Sequence, residues 1–129
     1  MQMTNSRTKG HGFEREIVNL FKDELGYCKR NLDQYAEKDH GDIILKPFCV
    51  ECKRYANGHW HREDWWNQVV KSAGDKYIPL LVYRFDRQPT KFVLPLFVVG
   101  DYVRKDNETF TVCTREAMLI MREVISETS

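Results

Sequence analysis

The stretch Gly41-Asp42-Ile43-Ile44-Leu45-Lys46-Pro47-Phe48-Cys49-Val50-Glu51-Cys52-Lys53 places two short apolar runs either side of a Lys-Pro turn. Such a pattern predicts a β-hairpin. Side chains alternate along a strand, so Glu51 and Lys53 share one face while Val50 and Cys52 take the other. Asp42 stands at the entrance of the hairpin, and Glu51 and Lys53 near its exit. A buried strand does not carry unpaired charge without cost, which runs to several kcal/mol or more. Two carboxylates and an ammonium on one sheet edge satisfy one another, and a divalent cation satisfies the carboxylates better. Hard cations such as Mg²⁺ take oxygen ligands, commonly one or two carboxylates with waters and a substrate phosphate. The competing reading is a surface hairpin with a solvated salt bridge, which is worth little.

Upstream, Phe13, Ile17, Leu20, Phe21 and Leu25 recur at helical spacing, which predicts a helix from about residue 10 to 25 with Gly26 as its C-cap. Steps of three and four from Glu14 run along the apolar stripe, whereas steps from Glu16 fall on mostly polar positions. Glu14 therefore faces inward and Glu16 mostly outward. An inward carboxylate near a helix N-terminus complements the helix dipole or pairs with an arginine, and it also lies within reach of a metal site beside the sheet.

The series Lys9-Gly10-x-x-x-Glu14-Arg15-Glu16, an amphipathic helix, a basic strand, Gly41-Asp42-Ile43 and Glu51-x-Lys53 resembles the PD-(D/E)xK nucleases, and among them the archaeal-type and phage Holliday-junction resolvases. The proline that usually opens the motif is replaced by Gly41, and the match by motif covers roughly the first half of the chain. The resemblance implies an α/β fold, a restriction-endonuclease-like mixed β-sheet flanked by α-helices. It implies one nuclease domain over 1–129, residues 1–8 being a flexible arm. It assigns the active site to Glu14, Asp42, Glu51 and Lys53. Metal ligands would be Asp42, Glu51, the backbone carbonyl of Cys52 and Glu14, and the cofactor Mg²⁺ or Mn²⁺.

Between the first helix and the motif, residues 27–35 read as a strand and 37–40 as a charged loop. Arg7, Lys9, Arg15, Lys29, Arg30 and Lys38 are candidate DNA contacts, or else ordinary solvated charges. The loop 54–62 mixes cations and aromatics (Arg54, Tyr55, His59, Trp60, His61, Arg62) and should lie beside the site. That mixture suits backbone contacts and stacking on unpaired bases. Arg54, His59, His61 and Arg62 join the candidates, although loop histidines are often incidental. A second helix over 63–76 has the apolar face Trp65, Trp66, Val69, Val70 and Ala73, with Gln68 a candidate for facing the site. Strands follow at 80–85 and 92–99, the latter at an edge or bulged because of Pro95. A last strand spans 110–113, and Thr114 caps a final helix.

Composition narrows the alternatives. The chain has 129 residues, three Trp, six Tyr and seven Phe, and a formal net charge of +1. That length suits one domain, and any positive footprint for nucleic acid must be local. No apolar run approaches a membrane span and no signal-peptide core is present, so a cytoplasmic protein, or a phage protein acting in the host cytoplasm, is expected. Cys28, Cys49, Cys52 and Cys113 are then reduced thiols. Cys49 and Cys52 should face opposite sides of one strand, which disfavours a shared zinc. No GxxxxGK[ST] is present, so no nucleotide cofactor is expected.

Three functions remain open. The first is a metal-dependent, structure-selective DNA endonuclease acting in recombination, a Holliday-junction resolvase that leaves 5′-phosphates. Its substrate is branched DNA, and two opposed cuts require a homodimer, with strand 92–99 and the Trp65-Trp66 helix as candidate surfaces. The second is a restriction, nicking or repair-type nuclease acting on duplex DNA. The third is a binding module without catalysis.

Overall fold

The computed structural model describes residues 6–26, 29–30, 42–100 and 103–128. The two apolar runs around Lys46-Pro47 form the expected hairpin. Strand β2 (Ile43–Leu45) pairs antiparallel with β3 (Phe48–Tyr55), placing Ile43 opposite Val50 and Leu45 opposite Phe48. A short strand β1 (Lys29–Arg30) adds to the outer side of β2. Helix α2 (Glu63–Ala73) carries the chain back, so that β4 (Ile78–Phe85) runs parallel to β3. A parallel pair needs such a crossover because a tight turn cannot return the chain to the same end. Strands β5 (Lys91–Pro95) and β6 (Thr109–Cys113) complete the sheet antiparallel, in the order β1-β2-β3-β4-β5-β6.

Helices lie on both faces. Helix α1 (Ser6–Leu25) and helix α3 (Thr114–Thr128) cover one face, where Phe13, Ile17 and Phe21 meet Ile43, Val50, Cys52, Leu80, Val82 and Met121. Helix α2 covers the other, with Trp65, Trp66 and Val69 against Leu81, Tyr83, Phe85 and Val93. The alternation along β3 follows the predicted phase. Val50 and Cys52 enter the α1 core, while Cys49 packs with Ala73 and Tyr77 behind α2. The two cysteines therefore cannot share a metal.

Several boundaries differ from expectation. Helix α1 starts at Ser6, so residues 6–8 are helical and not part of an arm. Hydrophobic periodicity cannot register a first turn made of polar residues. Helix α2 ends at Ala73, with Gly74 beyond it. Only Lys29–Arg30 of the expected strand 27–35 is described, and Cys28, Lys38 and the rest of the charged loop lie outside the described residues. Strand 92–99 splits at Pro95 into β5 and a 3₁₀ turn, Leu96–Val99. β5 is interior, paired on both sides, because Pro95 falls at its last position where no ladder donor is lost. Glu116 reaches back to accept the Cys113 backbone N–H at 3.3 Å, so Cys113, and not Thr114, takes the N-cap position just before α3.

Phe21 is fully enclosed between α1 and the sheet, whereas Leu119 is 55% exposed on α3. Phe21→Ala should cost about 3–5 kcal/mol in urea unfolding, and Leu119→Ala should stay within about 0.5 kcal/mol. Equal losses would mean that α1 does not pack as described.

Candidate active site

Strand β2 begins at Ile43, and Asp42 just before it continues the register for one more residue. Its backbone N–H donates to the Val50 carbonyl at 2.9 Å, and its Oδ2 accepts the Cys52 N–H at 2.9 Å. The aspartate thus ties off the edge of β3 where β2 gives out. Within an extended residue the N–H and C=O point the same way, so the Cys52 carbonyl turns toward this same edge.

Asp42 stands opposite Glu51, with Lys53 two residues along on the same face. Glu51 is 5% exposed, the one charged side chain buried among the described residues. Its pKa is pushed up to about 8, first by burial and then by Asp42, which repels its charge and shares a hydrogen bond with it. Lys53 opposes the shift, and Glu14 adds to it from farther off. The same two carboxylates, after burial, raise the Cys49 thiol to about 12, so Cys49 is an inert thiol. Ser72 of α2 donates to Glu51 Oε1 at 3.5 Å.

The structure therefore gathers Asp42, Glu51 and Lys53, with half-buried Glu14 at their margin. Glu16 is exposed and ion-paired to Arg84, as its helix phase predicts. Gln68 is exposed, and the polar α2 residue that reaches a site carboxylate is Ser72, one helical turn further along. Ser72 interrupts an otherwise apolar stripe between Val69 and Ala73, which was the available signal. Trp65 and Trp66 are buried inside the chain, and the Trp66 indole donates to the Asp106 carbonyl at 2.8 Å. They are core, not dimer surface, and buried β5 is excluded likewise, whereas Leu96–Val99, the rest of the expected strand 92–99, is half-buried to exposed.

The candidate DNA contacts divide. Arg15 and His59 are exposed. Arg54 is ion-paired to Asp86, and Arg62 to Asp64 at 2.9 Å. His61 is wedged between Trp60 and Tyr83, and burial and nearby Lys91 lower its pKa, so it is neutral near pH 7 and not a phosphate-binding cation. The side chains of Arg7, Lys9, Lys29 and Arg30 lie outside the description.

The loop after β3 is clamped by the β4–β5 turn. The Tyr55 carbonyl accepts from the Asp86 N–H at 3.1 Å, the Gly58 carbonyl from Gln88, and the His59 carbonyl from Lys91 Nζ at 2.9 Å. Gly58 lies so close to Phe85 that a Cβ there would meet the ring at 2.5 Å, and its φ of +134° also demands glycine.

The family model described as "Phage putative PDDEXK endonuclease" matches residues 5–125. The chain belongs to this endonuclease family. No curated protein and no solved structure matches it. Membership makes the chain a nuclease of the PD-(D/E)xK superfamily, whose members generally use divalent metal ions, and implies DNA as substrate. No described helix is long and apolar enough to cross a membrane.

The residues of this endonuclease fit such an ion. No cluster of three or more His, Cys, Asp or Glu side chains forms a metal cage among the described residues. Two carboxylates and a backbone carbonyl on one edge suit a cation that keeps several waters. The repulsion from Asp42, which adds to burial in holding a proton on Glu51, is what a divalent cation would offset.

A pH dependence follows for the metal-free endonuclease. Glu51 is raised from 4.5 to about 8, so between these values the folded state holds a proton that the unfolded chain has released. Its contribution is complete below 4.5 and is lost as pH rises through 8. In EDTA, Glu51→Gln should gain on the parent chain by on the order of 3 kcal/mol between pH 5 and pH 8.5. Denaturation curves with parallel pH profiles would show that Glu51 does not titrate abnormally.

Proposed function

We propose that the chain is a Mg²⁺-dependent (or Mn²⁺-dependent), structure-selective DNA endonuclease, a Holliday-junction resolvase acting in recombination. The observation that carries the catalytic reading is buried Glu51 beside half-buried Asp42, with Lys53 on the same face. Asp42, Glu51 and the Cys52 carbonyl would hold the metal, with Glu14 completing the set directly or through water. A bound divalent cation lowers the pKa of water and offsets charge on the phosphate oxygens. Lys53 orients the attacking water and stabilises the negative charge that builds on the phosphoryl group. Water attacks phosphorus in line, and the 3′-oxygen departs as the hydroxyl, leaving a 5′-phosphate. Junction specificity is supported by the Lys9-to-Lys53 resemblance. It requires a homodimer formed by surfaces other than Trp65, Trp66 and β5. The cytoplasm, or the host cytoplasm for a phage protein, is where this substrate is met.

The test is cleavage of an end-labelled four-way junction beside linear duplex, a fork and single strand, each with Mg²⁺ and with EDTA. Paired symmetric cuts in the junction alone are expected. Cutting of duplex or fork as readily would replace the resolvase by a restriction, nicking or repair-type nuclease. Binding without cleavage in either metal would leave a binding module.

Asp42→Asn, Glu51→Gln and Lys53→Ala should each abolish cleavage while junction binding persists, and turnover retained in any of them would remove that residue from the site. Glu14→Ala should cost far more activity than Glu16→Ala, whose exposed ion pair to Arg84 contributes less than about 1 kcal/mol to stability.

A further inference from the structure

We infer that Trp60 is a preformed stacking platform for an unpaired DNA base next to the carboxylate site. Trp60 is 54% exposed, whereas Trp65 and Trp66 are 5% and 6% exposed. Two groups pack against its ring. The His61 ring lies against it at 5.2 Å between centroids, and the Lys91 ammonium sits 5.1 Å from its centroid. Lys91 in turn donates to the His59 carbonyl, one residue before Trp60. With Gln88 on the Gly58 carbonyl, the indole is presented on a fixed segment, and little ordering remains to oppose binding.

The location ties the ring to the site. Tyr83 is the cross-strand neighbour of Lys53 on the same face of the sheet. From Tyr83 the contacts run outward to His61 at 5.4 Å and then to Trp60. With a rise of about 3.4 Å per base along a stacked strand, that path spans only a few nucleotides.

Charge favours a base over a phosphate as the partner of this loop. Arg54 and Arg62 are ion-paired to Asp86 and Asp64, and His61 is neutral. What the loop offers is a half-exposed indole with a cation at its ring, and stacking on an indole takes any base without regard to sequence. A base inside an intact duplex cannot reach such a face. The partner is therefore DNA with unpaired nucleotides beside the scissile bond, such as a branch point or bulge. The inference rests on the endonuclease reading only for the identity of the ligand as DNA.

The test is binding by the full chain in EDTA, read by anisotropy of a labelled 20-base-pair duplex and of the same duplex with a central three-nucleotide bulge. The parent chain should prefer the bulged DNA. Trp60→Ala should lose roughly tenfold on it, from the usual worth of one base–aromatic stack, and less than twofold on the paired duplex. Trp60→Phe should retain most of the preference. Because the other two tryptophans are buried, bulged DNA should protect the chain's fluorescence from acrylamide, and this protection should vanish in Trp60→Ala. Equal losses on both DNAs, no loss on the bulge, or a Trp60 still open to acrylamide in the complex would each overturn the platform. Cleavage is scored separately with Mg²⁺. A persistent bulge preference without cleavage would sink the nuclease reading alone, and cleavage with a silent Trp60→Ala would sink the platform alone.

Discussion

A carboxylate buried in a sheet beside a second carboxylate is the arrangement on which the rest of this structure depends. Glu51 sits in the middle of β3, in a position that packing alone would assign to an apolar residue. Its charge is opposed by burial and by Asp42, and Lys53 offsets only part of this. The surrounding structure is strong enough to impose it. Val50 and Cys52 anchor the opposite side of the same strand in the main core, and β4 pairs along its whole length. The strain is thus held by rigid elements, not by a loop.

The second consequence concerns the edge of β3. Asp42 accepts a backbone N–H that a longer β2 would have taken. Because β2 starts only at Ile43, that N–H is left to the side chain. The aspartate is thereby fixed by a charge-assisted bond to the chain it faces. The hydrogen bond that completes the sheet also orients the acid.

Much of this was legible in the residues. The hairpin around Lys46-Pro47, the opposite facing of Glu51 and Cys52, and the inward Glu14 against the outward Glu16 all follow from periods of 2 and 3.6, which buried faces enforce. Hidden features were those set by contacts distant in sequence. Arg84 pairing with Glu16 and Lys91 reaching the His59 carbonyl join residues far apart in the chain, and no local pattern marks them; Ser72 donating to Glu51 left only a polar gap in an apolar stripe, which does not name its partner. Trp65 and Trp66 were ambiguous for the same reason. An apolar helix face reads identically whether it covers its own sheet or a partner, and only the packing of Leu81, Tyr83 and Val93 beneath it decides. Pro95 misled because the cost of a proline depends on its place in the ladder, which the sequence does not display.

The loop 54–62 shows why a local excess of cations need not be an electrostatic footprint. Four of its nine residues are Arg or His, yet Arg54 and Arg62 are paired and His61 is held neutral within an aromatic stack. The chain's near-neutral total of +1 is repeated at this smaller scale. Affinity built on phosphate neutralisation would be strongly salt-dependent and indifferent to base pairing. Affinity built on a clamped indole is the reverse, weakly dependent on salt and sensitive to whether a base is free.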